Sequence, residues 1–160
     1  NYRLHIAIAP TKNIERFEWF VEKATEIGID EITPLLCRFS ERKNIKNERL
    51  EKIIISAAKQ SKTAYFPVLN PLTPFNQLIK TVKAENRYIA HCYEQKKKQL
   101  NTILKGQKDI LILIGPEGDF SMEEVENAIS EGFFPVTLGE SRLRTETAGV
   151  VACVTVQLSI

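Results

Sequence analysis

The sequence predicts an α/β domain built on a mainly parallel sheet flanked by helices. Two observations carry that reading. Short apolar runs of strand length alternate along the chain with segments of helical periodicity. One run, Ile110 to Ile114, is apolar without a break, the pattern of a strand buried on both faces. Such alternation favours crossover connections, and so parallel strands. At 160 residues the chain suits one domain with a core of its own, and neither an internal repeat nor a linker divides it.

In order along the chain, Leu4, Ile6 and Ile8 alternate in a first strand that ends at Pro10. Asn13 is placed to cap a helix with the apolar stripe Ile14, Phe17, Phe20, Val21, Ala24 and Ile27, which Gly28 stops. Glu31 to Leu36 reads as a second strand. Asn47 is expected to cap a second helix with Leu50, Ile53, Ile54, Ala57 and Ala58 on one face. Val68 to Asn70 is a weak strand, Phe75 to Lys83 a short helix, and Tyr88 to Cys92 a further strand. Glu94 to Lys105 is polar and fits neither period. After the buried run, Ser121 and Glu124 form a capping box that opens a helix through Val125, Ala128 and Ile129 to Gly132. Phe134 to Leu138 is the last strand, and the tail from Thr145 suits a buried helix or a strand.

Composition excludes several classes. A formal charge of +2 is compatible with an anionic partner without announcing one. Cys37, Cys92 and Cys153 lie far apart with no Cys-x-x-Cys pair, which argues against a disulfide framework or zinc site and fits a reducing cytoplasm. His5 and His91 are the only histidines, too few for a His-based metal centre. The densest apolar run, Gly149 to Leu158, falls short of the roughly 20 residues of a membrane span. Asn1 to Ala9 lack the basic start and cleavage pattern of a signal peptide. The chain begins inside an apparent strand, which reads as an upstream segment lying outside it.

In open α/β sheets ligands collect at the carboxyl ends of strands, and two such ends carry unusual loops. One is Gly115-Pro116-Glu117-Gly118-Asp119-Phe120 after Ile114. The other runs from Leu138-Gly139-Glu140 through Ser141, Arg142, Leu143, Arg144, Thr145, Glu146 and Thr147 to Ala148. Glycines let the backbone approach a ligand closely, and Pro116 stiffens the turn. Gly115 and Gly118 suit a tight strand-to-helix turn equally well, and Thr145 suits a helix N-cap. There is no Gly-x-Gly-x-x-Gly fingerprint, phosphate-binding Gly-Lys-Ser/Thr loop or Gly-x-Ser-x-Gly elbow.

Longer strings narrow the field. GPEGDFS at Gly115 to Ser121, Gly132-Phe133 and LGESRLRTETA at Leu138 to Ala148 resemble the signature motifs of the RsmE family. EKATEIGIDEITPL at Glu22 to Leu35, Ser40-Glu41-Arg42 and Gln60-Ser61 fall in that family's order. The resemblance covers essentially the whole chain. It implies a SPOUT-type methyltransferase domain over residues 1–160, with a C-terminal trefoil knot that strand reading alone does not produce. It further implies S-adenosylmethionine as cofactor, a homodimer, and methylation of uridine N3 in 16S ribosomal RNA of the small subunit. Members also carry an N-terminal PUA-like β-barrel, which is expected to be absent from this chain. Departures are Asp119 where the family often has a second glycine, Glu140-Ser141-Arg142 in place of the usual spelling, Lys59 for a frequent glutamate, and Lys62-Thr63 for a frequent Gly-Arg.

On that resemblance, Ile114, Gly115, Pro116, Glu117, Gly118, Leu138, Gly139, Leu143, Arg144, Thr145, Thr147 and Ala148 are expected to hold the cofactor. Arg144 is expected to stabilise charge on the uracil, its bland alternative being a salt bridge to Glu146 or Glu117. Glu117 or Glu146 is the candidate general base, each with an alternative role in bracing loops. Lys12, Arg38, Arg42 and Lys43 are expected to grip RNA phosphates, or to form a solvated basic face. Lys96-Lys97-Lys98 reads as a solvated loop. Competing functions are methylation of another RNA such as tRNA, and RNA binding without catalysis.

Overall fold

A computed structural model of the chain describes Asn1–Ile160. Eight strands and five helices follow in the order β1 (Arg3–Ile8), α1 (Ile14–Ile27), β2 (Glu31–Leu36), α2 (Asn47–Ser61), β3 (Val68–Leu69), β4 (Thr73–Pro74), α3 (Phe75–Thr81), β5 (Asn86–Ala90), β6 (Lys98–Gln99), β7 (Asp109–Ile114), α4 (Met122–Ser130), β8 (Phe134–Thr137) and α5 (Thr145–Ser159). The sheet order is β3-β2-β1-β7-β5-β8-β6, with β4 beside the far end of β2. Every pairing is parallel, so the expected sheet is present and helices cover both its faces.

Strand periodicity divides the core in two. On one face Leu4, Ile6, Ile8, Ile110, Ile112 and Ile114 pack with side chains of α1, α2 and α5. On the other, Ala7, Ala9, Leu111, Leu113 and Ile89 pack with α3 and α4. Because β1 and β7 are covered on both sides, they have no polar face to alternate, and this is why Ile110 to Ile114 reads as continuous.

The N-cap of α1 is Asn13, whose side chain accepts from the Glu15 N–H, and Gly28 closes the helix at φ 110°. The capping box of Ser121 and Glu124 forms in full at α4. Several expectations shift. Lys46, not Asn47, occupies the cap of α2 and makes no side-chain bond, because Asn47 is already helical and its amide reaches the Asn70 carbonyl. The α3 helix stops at Thr81, where Val82 turns extended. Strand β5 ends at Ala90, which leaves His91 and Cys92 in the following loop. The polar stretch that fitted no period holds β6 and a 3-10 turn at Leu100–Thr102, anchored by buried Leu100 and Leu104. The tail is a helix, and its first residue is Thr145, with Arg144 at the cap.

Two non-glycine residues adopt positive φ: Lys62 at 57° and Asp119 at 68°. Both stand where the resembling family often has glycine. Lys62 is the left-handed C-cap of α2, where Thr63 N–H returns to the Ala58 carbonyl. Both residues thus hold a left-handed backbone of the kind that glycine adopts without strain.

Gly149 sets how closely α5 approaches. A Cβ there would stand 2.5 Å from Phe20 Cε2 and 3.0 Å from Ile8 Cδ1. Gly149→Ala is expected to destabilise the fold by about 1–3 kcal/mol through overpacking, although alanine suits a helix interior better by roughly 1 kcal/mol. An unchanged midpoint in urea unfolding would refute the close-packing account, and adding Phe20→Leu should recover part of the loss. Lys62→Gly should act in the opposite direction, raising stability by about 0.5–1 kcal/mol by relieving the left-handed cap. The same unfolding assay reads it.

Candidate functional site

Parallel register brings four strand ends to one level. Ile8 pairs with Ile114, Ala90 also pairs with Ile114, and Ala90 pairs in turn with Val136. The loops leaving β1, β5, β7 and β8 therefore meet at one rim. Between the last three lies a cleft of about 510 Å³, within the usual range for a small-molecule site.

The loop after β7 folds back on itself tightly. A Cβ on Gly115 would come within 3.0 Å of the Phe120 backbone nitrogen, so glycine is required by contact, and its φ is ordinary. Asp119 N–H bonds the Pro116 carbonyl at 2.8 Å. The Asp119 carboxylate then accepts from its neighbour Phe120 N–H (2.7 Å) and, across the cleft wall, from Cys92 N–H (2.9 Å). These bonds offset its left-handed conformation, which aspartate tolerates better than most residues. Thr145 Oγ1 donates to the Gly115 carbonyl at 2.9 Å, joining the start of α5 to this loop. The threonine is thus a brace between loops, and the helix-cap reading of it gives way to Arg144.

The expected residues Ile114, Gly115, Pro116, Glu117, Leu138, Gly139, Leu143, Arg144, Thr145 and Ala148 all line the cleft. Gly118, Glu146 and Thr147 do not. Gly118 faces Phe39 instead, and Glu146 is buried at the first turn of α5. Glu117 lines the cleft while one carboxylate oxygen accepts from Lys12 N–H at 3.0 Å. Arg144 is exposed on the lining and belongs to none of the chain's ion pairs. The alternative salt bridge to Glu117 or Glu146 is absent.

The loop after β5 supplies lining residues that sequence reasoning missed: His91, Cys92 and Lys97. The signal was available, since the rule that ligands gather at carboxyl ends applies equally to this strand. Lys97, expected in a solvated loop, folds inward and donates to the His91 carbonyl at 2.6 Å. His91 is buried. Its Nδ1 accepts from Tyr93 N–H (3.2 Å), which places the proton on Nε2, and Nε2 has no partner. Burial, helped by the Lys97 charge, pushes its pKa below the ordinary value and favours the neutral ring.

Of the expected RNA contacts, Lys12, Arg38 and Lys43 are exposed. Lys12 Nζ lies 3.9 Å from Glu41. Arg42 is half-buried, and its guanidinium donates to the Thr11 and Lys12 carbonyls, so it clamps the β1 and β2 loops together.

The residues present fit S-adenosylmethionine. Ile114, Val136, Leu138 and Leu143 give apolar walls, Gly115 and Gly139 bring backbone without side chains into the lining, and the ring of His91, whose Nε2 has no partner, stands among them.

Comparison with known proteins agrees. The model of the RNA methyltransferase domain family matches residues 1–157. The ribosomal RNA small subunit methyltransferase E of Rickettsia conorii is 30% identical over 97% of this chain and 64% of its own length. The chain thus spans just under two thirds of the relatives it matches by sequence. A crystal structure of a probable rRNA-methyltransferase from Porphyromonas gingivalis superposes with a TM-score of 0.93 at 52% identity, covering 99% of this chain and 68% of that one. A putative methyltransferase from Legionella pneumophila, solved with bound SAM, gives a TM-score of 0.89 at 30% identity over 98% of this chain and 66% of its own.

The thiols offer a test of the cleft. Burial raises the pKa of Cys37 and pushes that of Cys153 up to about 12, whereas Cys92 is exposed on the lining. In the native protein, iodoacetamide should modify Cys92 and spare the other two. Saturating S-adenosylmethionine should slow that reaction several-fold, and an unaltered rate would place the ligand elsewhere.

Proposed function

Since the chain belongs to the RNA methyltransferase domain family and to its RsmE group, we propose that it transfers a methyl group from S-adenosylmethionine to N3 of a uridine in 16S ribosomal RNA. The observation that carries this is the cleft at the rim of β5, β7 and β8, with an unpaired arginine among its lining residues. When bound, S-adenosylmethionine supplies an electrophilic methyl group on a sulfonium. Ile114, Gly115, Pro116, Leu138, Gly139, Leu143, Thr145 and Ala148 would hold it, whereas Gly118 and Thr147 lie outside the lining.

Transfer requires the uracil N3 in line with the methyl carbon, so positioning supplies much of the acceleration. As N3 loses its proton, negative charge spreads onto O2 and O4. Arg144, whose guanidinium no carboxylate engages, stabilises that charge. Glu117 is the better placed of the two candidate bases, because it lines the cleft with only one oxygen committed to Lys12 N–H. Glu146 is buried outside the lining and suits a structural role.

Assembly as a homodimer is supported by α5, which is apolar on more than its buried stripe. Val150, Val151 and Val154 are only half-buried, and Leu158 is 79% exposed. The trefoil knot is supported by the path of α5, which packs on α1 and β1 after its first residue bonds the β7 loop. Free cysteines suit the cytoplasm, and no helix is long and apolar enough to cross a membrane.

The decisive experiment incubates the chain with methyl-labelled S-adenosylmethionine and small ribosomal subunits, then digests the RNA to nucleosides. Label in 3-methyluridine is expected, and label appearing only with tRNA would redirect the assignment. Cofactor binding without transfer to any RNA would favour the non-catalytic reading. Arg144→Ala should lower kcat by about 10²-fold or more while calorimetric affinity for the cofactor stays within a few-fold. Equal losses in both would make Arg144 a cofactor ligand instead.

A further inference from the structure

On the outer side of the Gly115–Phe120 loop, the connection after β2 presents an aromatic ring that the cofactor cleft does not use. Phe39 is 48% exposed, whereas phenylalanine is usually buried. The turn that carries it is held firmly. Ser40 N–H bonds the Cys37 carbonyl at 3.2 Å, and the buried Ser40 hydroxyl accepts from Cys37 N–H at 3.0 Å. Arg38 N–H bonds Glu124 Oε2 at 3.0 Å, which fastens the turn to α4. Arg42 clamps the same connection to the β1 loop.

Phe39 also leans on the cofactor loop. A Cβ on Gly118 would lie 3.3 Å from Phe39 Cβ. Gly118 does not line the cleft, and a side chain there would press on Phe39. The base of the Phe39 side chain is therefore set by the turn and by the loop that shapes the cofactor site, and about half of the residue's surface is open. The same connection carries exposed cations at Arg38 and Lys43, and its exposed carboxylate, Glu41, lies 3.9 Å from Lys12 Nζ. Arg38 further opens onto a recess of about 230 Å³ that includes Asn76, Ser121, Glu123 and Asn127, side chains that offer both hydrogen-bond donors and acceptors.

We propose that Phe39 is a stacking platform for an unpaired base of the RNA substrate, a site separate from the cofactor cleft. The inference rests on the RNA methyltransferase reading and extends it to how RNA is held. A ring carried on a hydrogen-bonded turn, with only two side-chain torsions of its own, costs little ordering entropy on binding, and cations near it in the same connection can engage the phosphates of the same strand; this combination serves single-stranded RNA. A folded protein partner fits poorly, because a stable interface covers about 800 Å² on each side and Phe39 is one ring among polar neighbours.

The test uses the whole chain and a uridine-rich single-stranded oligoribonucleotide carrying one 2-aminopurine, whose fluorescence falls when it stacks. Wild type should bind it and quench the probe. Phe39→Ala should weaken binding about 10-fold or more and abolish quenching, while Phe39→Trp retains both. Calorimetric affinity for S-adenosylmethionine and the thermal midpoint should be the same in all three, which separates stacking from a folding defect. Undiminished binding by Phe39→Ala, or equal loss in both variants, overturns the platform and leaves the methyltransferase assignment standing. Failure of the wild type to bind the cofactor would instead count against that assignment.

Discussion

The register of the parallel sheet is the constraint on which the site depends. Strands β1, β7, β5 and β8 are paired so that Ile8, Ile114, Ala90 and Val136 stand level, and parallel direction ensures that all four chains leave the sheet on the same side. A slip by one residue would exchange the two faces of a strand. For β7 both faces are apolar, so side-chain polarity alone would not resist such a slip. Shape is what differs between the two faces: Leu111 and Leu113 pack in the cluster that holds Phe75, Phe120 and Phe133, and Ile110, Ile112 and Ile114 in the one that holds Phe17 and Phe20 of α1. Packing volume therefore holds the loops at one height.

Above the sheet, short polar side chains consume the free backbone groups of the loops. Thr145 takes the Gly115 carbonyl, Glu117 the Lys12 amide, Asp119 the Cys92 amide, Glu124 the Arg38 amide, and Arg42 the carbonyls of Thr11 and Lys12. Each bond joins segments distant in sequence. They satisfy groups that would otherwise be unpaired on binding a ligand, and they hold the loops in place beforehand. The same bonds explain why several residues with a catalytic look have structural work. Among the side chains of the lining, Arg144 and its neighbours Glu140 and Arg142 enter none of these bonds, and that side of the cleft is where ligand chemistry has room.

Features governed by neighbours in sequence were legible in advance. The Asn13 cap, the Gly28 stop and the Ser121–Glu124 box all depend on residues within a turn of one another, and each formed as read. The glycine loops were legible because they follow strands. What escaped was set by partners far along the chain. Two-residue strands such as β4 and β6 are too short to show alternation and exist only because β2 and β8 lie beside them. The inward turn of Lys97 depends on the His91 carbonyl, and the helix at the C-terminus is apolar on too many sides for periodicity to separate it from a strand. Motif resemblance supplied the family, yet Asp119 and Lys62 show that spelling and backbone shape diverge: both depart from glycine and both keep the glycine conformation.

The outermost strands of the sheet have a consequence for how copies of this protein behave when crowded. One edge is broken into β3 and β4, each of two residues, with Pro71 between them, and the other edge is the two-residue β6. Neither offers a long row of free amides and carbonyls onto which a foreign strand could add. Growth of intermolecular β-structure is thereby blocked at both ends of a sheet whose interior is among the most aggregation-prone material in the chain. Protection of this kind operates only while the fold is closed, so the unfolded chain, which has not yet laid down its short edges, is the form in which the apolar strands are open to pairing with other copies.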